Sequence, residues 1–192
     1  MKKYLTLPNA LSASRLAIFP VLLYTAYFEK RPIFAWLFLF SLVSDIADGF
    51  LARHYKSVSE FGSKLDSWGD LCNYIAAITG VLLLCRADFM AYYPWFIILF
   101  GLYFLGVIMM LFKFKRLIGM HLHSSKITGY VHGFFLISWF LLGFNVYLFY
   151  LAMIIGYYSY VEEIILIFIL KKPDHDLKSL FWVVKNRLDL WR

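Results

Sequence analysis

The chain has 192 residues, 62% of them hydrophobic and 16% charged, with a formal net charge of +7. Soluble domains run nearer half apolar and a quarter charged, so this composition excludes an ordinary soluble domain and identifies a membrane protein. Spans of about 20 residues each consume most of the length, which leaves one domain and little room for a separate soluble one.

Six apolar segments follow one another, at about 8–28, 32–52, 62–85, 90–112, 127–144 and 146–170. All are expected to be helices, because lipid demands internally satisfied backbones and none shows the alternation of barrel strands. The first follows Met1-Lys2-Lys3 and opens on polar Asn9, Ser12, Ser14 and Arg15. Without a small-residue cleavage site it reads as a retained span. The second and third carry the acidic residues discussed below. The third also holds both cysteines, Cys72 and Cys85, about 20 Å apart along a helix and so unable to pair. Both read as small buried hydrophobes.

After the sixth segment, Leu177, Leu180, Phe181, Val184, Leu188 and Trp191 recur at helical spacing, with Lys178, Lys185 and Arg192 on another face. Residues 177–192 are therefore expected to form an amphipathic helix at the membrane interface, appended to a six-helix transmembrane domain of residues 1–176. With a cytoplasmic N-terminus, sixteen of the nineteen Lys and Arg residues fall on the cytoplasmic side, leaving only Lys30, Arg31 and Arg86 opposite. This bias places both termini and the junction of segments two and three in the cytoplasm. Basic residues in short loops beside apolar spans serve orientation and anionic headgroups, so the net charge gives no reason to expect a nucleic-acid partner.

The informative stretch runs from Asp45 to Asp70. On a helix ending near Ala52, Asp45 and Asp48 are three apart, and on one starting near Gly62, Asp66 and Asp70 are four apart. Either spacing puts two carboxylates on one face. Acids in or near a bilayer are costly, by about 2.5–3.5 kcal/mol each on insertion scales, so four together call for compensating cations. Oxygen-only ligands suit Mg²⁺ or Mn²⁺, and two such ions can clamp the attacking and leaving oxygens of a phosphoryl displacement. Gly49 allows close backbone approach, and Arg53 offers a planar fork for a phosphate. The plainer reading is an acidic helix pair neutralised by Arg53, Lys56 and Lys64. It leaves unexplained why two same-face pairs flank one loop.

Asp45, Asp48, Gly49, Ala52, Arg53, Gly62, Asp66 and Asp70 together satisfy every fixed position of D-x2-D-G-x2-A-R-x8-G-x3-D-x3-D. In this the chain resembles the CDP-alcohol phosphatidyltransferase family. Pro8-Asn9-Ala10-Leu11-Ser12-Ala13-Ser14-Arg15 resembles that family's P-N-x-[LIV]-[ST]-x-x-R opening, and the six-span plan is similar. The resemblance implies transfer of a phosphatidyl group from a CDP-linked lipid such as CDP-diacylglycerol to an alcohol, with release of CMP. It implies two divalent cations held by Asp45, Asp48, Asp66 and Asp70, with Asp70 also the catalytic base. It implies that Asn9, Ser12, Gly49, Arg53 and Ser59 line the CDP site. It further implies a setting in the lipid bilayer and homodimerisation, and the compact length without extra domains suits a prokaryotic plasma membrane.

The acceptor is less defined. Lys126 and Arg116 are candidates for binding a phosphate on a polyol phosphate such as glycerol 3-phosphate or inositol phosphate, although topology alone also places positive charge there. Phosphatidylglycerol is a further candidate acceptor. The end of segment four, Val107 to Phe112, lacks the arginine–acid pair associated with synthases using glycerol 3-phosphate, which points away from that acceptor. Glu162 and Glu163 lie inside segment six, where one of them is a candidate for orienting a cation or acceptor hydroxyls, with a packed, protonated or salt-bridged structural role as the equal alternative. His132, alone on an apolar helix, reads as a packing residue, and His121 and His123 read as loop residues. The competing class is a membrane cation transporter or channel that uses the intramembrane acids. It has no role for the glycine, alanine and arginine positions of the pattern.

Overall fold

The computed structural model describes residues 7–54, 60–115, 122–170 and 177–186. Seven helices make up the described residues: α1 (Leu7–Tyr27), α2 (Arg31–His54), α3 (Glu60–Leu84), α4 (Arg86–Phe114), α5 (His123–Leu142), α6 (Val146–Ile169) and α7 (Leu180–Asn186). The first six match the six apolar segments in order, and the ends differ by a few residues, the usual error of reading boundaries from hydropathy. Four of them, α1, α3, α4 and α6, are long and apolar enough to cross a membrane. Charged residues within α2, notably Asp45 and Asp48, make it less apolar than its length suggests.

The chain forms two compact units. α1, α2, α3, the start of α4 and Leu136–Phe144 build the first. Its apolar centre is aromatic: Phe34 and Phe38 stack at 5.8 Å, and Phe140 meets both edge-on at 5.0 and 5.6 Å. Small residues Ala26, Ala35 and Ala76 are fully buried, as suits helices that must approach closely without water to drive them together. Gly80 completes this packing, since a Cβ there would sit 2.6 Å from Phe34 Cε1 and 2.9 Å from Phe140 Cζ. The carboxyl end of α5 is satisfied by Arg31, which donates from Nε to Phe140 O at 3.1 Å and from Nη2 to Trp139 O at 2.6 Å. A cation there also complements the helix dipole. Trp139 Nε1 in turn donates to Asp88 Oδ2 at 3.0 Å. Gly143 follows with φ of 97°, a left-handed conformation that glycine adopts without strain.

The remainder of α4 and α5, with α6 and α7, forms the second unit. Asn145 caps α6, its side chain accepting from Tyr147 N and Leu148 N. Fully buried Phe149 lies 4.9 Å from Tyr92, 5.6 Å from Phe96 and 5.9 Å from Phe135. His132 Nε2 donates to Ala152 O at 3.0 Å, a packing role consistent with its isolation on an apolar helix. Farther along, Met110, Leu122, Leu166, Ile167, Leu170, Leu177 and Val183 form one buried cluster.

α7 belongs to that cluster through Val183, while Phe181 and Val184 stay exposed. Its first turn is held by Glu162, whose Oε1 accepts from Leu180 N at 2.7 Å. Glu162 is buried within α6. Among the described residues, Oε1 thus has the backbone of α7 as its partner, while Oε2 is buried without one.

Gly80→Val is expected to force the Phe34 and Phe140 rings apart and to destabilise the protein by about 1–3 kcal/mol, the range for overpacking a filled site. Thermal unfolding of purified protein in detergent measures this; an unchanged midpoint would show that the aromatic centre relaxes at no cost.

Candidate metal and phosphate site

The acidic motif folds as the spacing predicts. Asp45 and Asp48 project from α2, Asp66 and Asp70 from α3, and the two pairs face the same point from their separate helices. That point is occupied by a residue of α1, Arg15. Its Nη1 donates to Asp45 Oδ1 and, at 3.0 Å, to Asp70 Oδ1. Its Nη2 donates at 2.7 Å to both Asp48 Oδ2 and Asp66 Oδ1. The four η hydrogens of the guanidinium are thereby used, one for each carboxylate. Nε is buried without a hydrogen-bond partner among the described residues.

The environments of the four acids differ. The Arg15 side chain is 0% exposed and that of Asp48 4%, whereas Asp45, Asp66 and Asp70 are 37%, 49% and 48% exposed. Asp48 thus forms the floor of the site and the other three its accessible rim. Ser12 Oγ donates to Asp48 Oδ2 at 2.6 Å, so this oxygen accepts from both Ser12 and Arg15. With all groups ionised, four negative charges against one positive leave a formal −3.

Polar ties position these side chains. Ser44 Oγ donates to Leu11 O at 3.3 Å and joins α2 to α1. Ser41 Oγ donates to Asn73 Oδ1 and joins α2 to α3. Gly69 leaves the slot through which the guanidinium reaches the acids: a Cβ there would lie 2.8 Å from Arg15 Cζ and 3.0 Å from Nε.

Oxygen ligand atoms of Asp45, Asp48 and Asp66 lie within 4.8 Å of one another. An all-carboxylate set of this size fits a hard divalent cation such as Mg²⁺ or Mn²⁺, and contains no nitrogen or sulfur to favour zinc.

Of the residues singled out in the sequence, the structure brings together the four aspartates and Ser12. Asn9 is buried on α1. Gly49 and Arg53 lie within α2, while Ser59, Arg116 and His121 fall outside the described residues. Lys126 is exposed on the first turns of α5, in the second unit. Sequence reasoning missed Arg15 as a member of the site and treated it as a topology signal. Its burial cost was the available clue: an arginine eight residues into an apolar helix needs acidic partners, and the chain has one dense set of them.

Comparison with known proteins agrees with this geometry. Residues 5–168 match the protein family described as CDP-alcohol phosphatidyltransferase. A CDP-diacylglycerol–glycerol-3-phosphate 3-phosphatidyltransferase of Rickettsia bellii is 34% identical over 85 residues, covering 43% of this chain and 46% of the relative. The protein of that name from Pectobacterium atrosepticum is 33% identical over 96 residues, 48% of this chain and 49% of its own. CDP-diacylglycerol–inositol 3-phosphatidyltransferase 1 of Arabidopsis thaliana is 36% identical over 63 residues, 33% of this chain and 27% of the relative. The matched stretches thus span about half the length of these curated relatives or less. No solved structure matches the chain.

Asp66→Asn removes one of four like charges at a half-exposed position. In chelator it is expected to raise the unfolding midpoint by about 2–4 °C, corresponding to about 1 kcal/mol for a chain of this size. A lowered midpoint would mean that the bond to Arg15 outweighs the repulsion.

Proposed function

Because the chain belongs to the CDP-alcohol phosphatidyltransferase family, we propose that it transfers the phosphatidyl group of a CDP-linked lipid, CDP-diacylglycerol, to an alcohol and releases CMP. The observation that carries this reading is the convergence of Asp45, Asp48, Asp66 and Asp70 from α2 and α3 on one point. A transporter would need acids along a path; here all four converge on one guanidinium.

We assign Asp45, Asp48 and Asp66, with Asp70, to two divalent cations, Mg²⁺ or Mn²⁺. When bound, such ions neutralise the diphosphate and stabilise the charge that develops on the leaving phosphate. Asp70 takes the proton of the acceptor hydroxyl, whose oxygen attacks the phosphorus carrying the diacylglycerol. The bond from that phosphorus to the bridging oxygen breaks, and CMP departs with the electron pair. Asp70 suits this role because it stands on the accessible rim, whereas buried Asp48 can only hold. Asn9, Ser12, Gly49, Arg53 and Ser59 are assigned to the CDP moiety.

The acceptor is an alcohol whose identity the relatives leave open, since their names include both glycerol 3-phosphate and inositol. The missing arginine–acid pair near the end of α4 points away from glycerol 3-phosphate, whereas the relatives' names include it. A phosphorylated acceptor would meet Lys126 and Arg116, while phosphatidylglycerol would need neither.

In the membrane, the proposed arrangement is a domain of residues 1–176 with six spans and both termini cytoplasmic. The 177–192 segment then lies along the interface, with Phe181 and Val184 turned to lipid. A lipid donor whose tails stay in the bilayer and a nucleotide that leaves into water require a site at such a boundary. A homodimer is part of the proposal.

Two outcomes test the reaction. Purified protein given CDP-diacylglycerol, Mg²⁺ or Mn²⁺ and a panel of glycerol 3-phosphate, inositol phosphate, inositol, serine and phosphatidylglycerol is expected to release CMP with one acceptor. Chelator should abolish the release and added divalent ion restore it. Metal flux into liposomes with no such release would instead establish the transporter class. Asp70→Asn is expected to lower turnover by about 10²–10⁴-fold, the usual contribution of a general base, while the fold is retained. Full activity in this variant would remove Asp70 as the base.

A further inference from the structure

Arg15 satisfies four carboxylates at once from a fully buried position, and every one of them is a residue assigned above to divalent cations. Resting on that assignment, we propose that Arg15 is the built-in counterion of the aspartate quartet and competes with divalent cations for it. Arg15 is thus a positioning residue whose charge sets the affinity of the metal site.

Three observations support the competition. The guanidinium lies at 2.7–3.0 Å from oxygens of Asp48, Asp66 and Asp70, and two of these acids also supply ligand atoms to the cluster spaced for a metal ion. A cation entering that cluster shares its oxygens with the guanidinium and is repelled by its charge at a few ångströms. The fit is also built rather than incidental. Gly69, next to Asp70 on α3, leaves open the space that the guanidinium fills, and any Cβ there would collide with Cζ, Nε and Nη1. Finally, Nε is buried with no partner among the described residues, so among them the acids hold the head group.

The physical consequence is a site that stays assembled before metal and donor arrive. Four carboxylates without a counterion repel one another and would splay α2 from α3. One monovalent counterion holds them together but leaves a formal −3, enough to draw in divalent ions.

The test is direct Mn²⁺ titration of the purified full chain in detergent, with free Mn²⁺ read by electron paramagnetic resonance, and without any substrate. Arg15→Met is expected to bind Mn²⁺ about tenfold more tightly than the unaltered chain, because a nearby positive charge is removed. Gly69→Ala, which keeps the arginine but pushes its head from the slot, should shift affinity in the same direction. Arg15→Lys keeps the charge and should stay near the unaltered value. A purely structural role for Arg15 would weaken binding in Arg15→Met and Gly69→Ala, so tightening separates the two accounts. Unchanged or weaker binding in both variants, with the unaltered chain binding Mn²⁺, would overturn the competition while leaving the metal site standing. Binding by the variants but not by the unaltered chain would support it. If no form binds Mn²⁺, the metal assignment fails and the competition with it. Should Arg15→Met fail to fold, Gly69→Ala decides.

Discussion

Four carboxylates gathered at one point repel one another, and a helical membrane protein has little water nearby to screen them. The bidentate reach of one guanidinium makes the arrangement stable. Arg15 places one hydrogen bond on each acid and ties α1 to both α2 and α3 through charge rather than apolar contact. A lysine would carry the same charge as a single point and lacks the fork that addresses four oxygens from two nitrogens. The order of the first three helices follows from this requirement: the cation must come from a third helix, because α2 and α3 each devote a face to the acids.

The packing around the quartet serves the same end. Helices in lipid gain little from apolar burial against one another and rely on close approach and on hydrogen bonds between them. α1, α2 and α3 use both devices. Ser12, Ser41 and Ser44 each bond across to a neighbouring helix, while Gly69 and Gly80 give up side chains exactly where Arg15 and Phe34 need room. One glycine admits a cation and the other an aromatic ring, on the same helix and eleven residues apart, about three turns and so on one face. That face of α3 is shaped to receive α1 near the acids and α2 near the aromatic centre.

The helices and the acids were legible in the sequence because each rests on a local pattern. Hydropathy over about twenty residues gives a helix, and carboxylates three or four apart give a shared face. Arg15 was less legible because its role depends on partners thirty to fifty-five residues away, and a positive charge near the start of a first span already has an explanation in topology. Glu162 depends on distant partners in the same way. An acid inside an apolar helix suggests ligand binding, yet its Oε1 holds the backbone of α7, a segment whose path no local pattern reveals. For α7 itself the amphipathic spacing was visible, but the buried side includes Val183 while Phe181 and Val184 are exposed. Spacing defines stripes on a helix and leaves open which stripe meets protein and which meets lipid.

The same contrast explains why the donor half of the reaction can be read from the chain and the acceptor half cannot. A diphosphate is a concentrated charge, and any protein that binds it at a membrane must assemble compensating groups in numbers that stand out against an apolar background. In the proposed reaction the aspartates, through the cations assigned to them, and Arg53 answer to that demand. Alcohol acceptors differ from one another in hydroxyl placement and in whether they carry one phosphate, differences that a few neutral or single charged side chains can discriminate. Lys126, exposed at the start of α5, stands where orientation in the bilayer also calls for a cation, so its presence carries no specificity by itself. Recognition of the acceptor therefore rests on groups whose residue types are common throughout a helical membrane protein, and only a reaction with a defined alcohol distinguishes them.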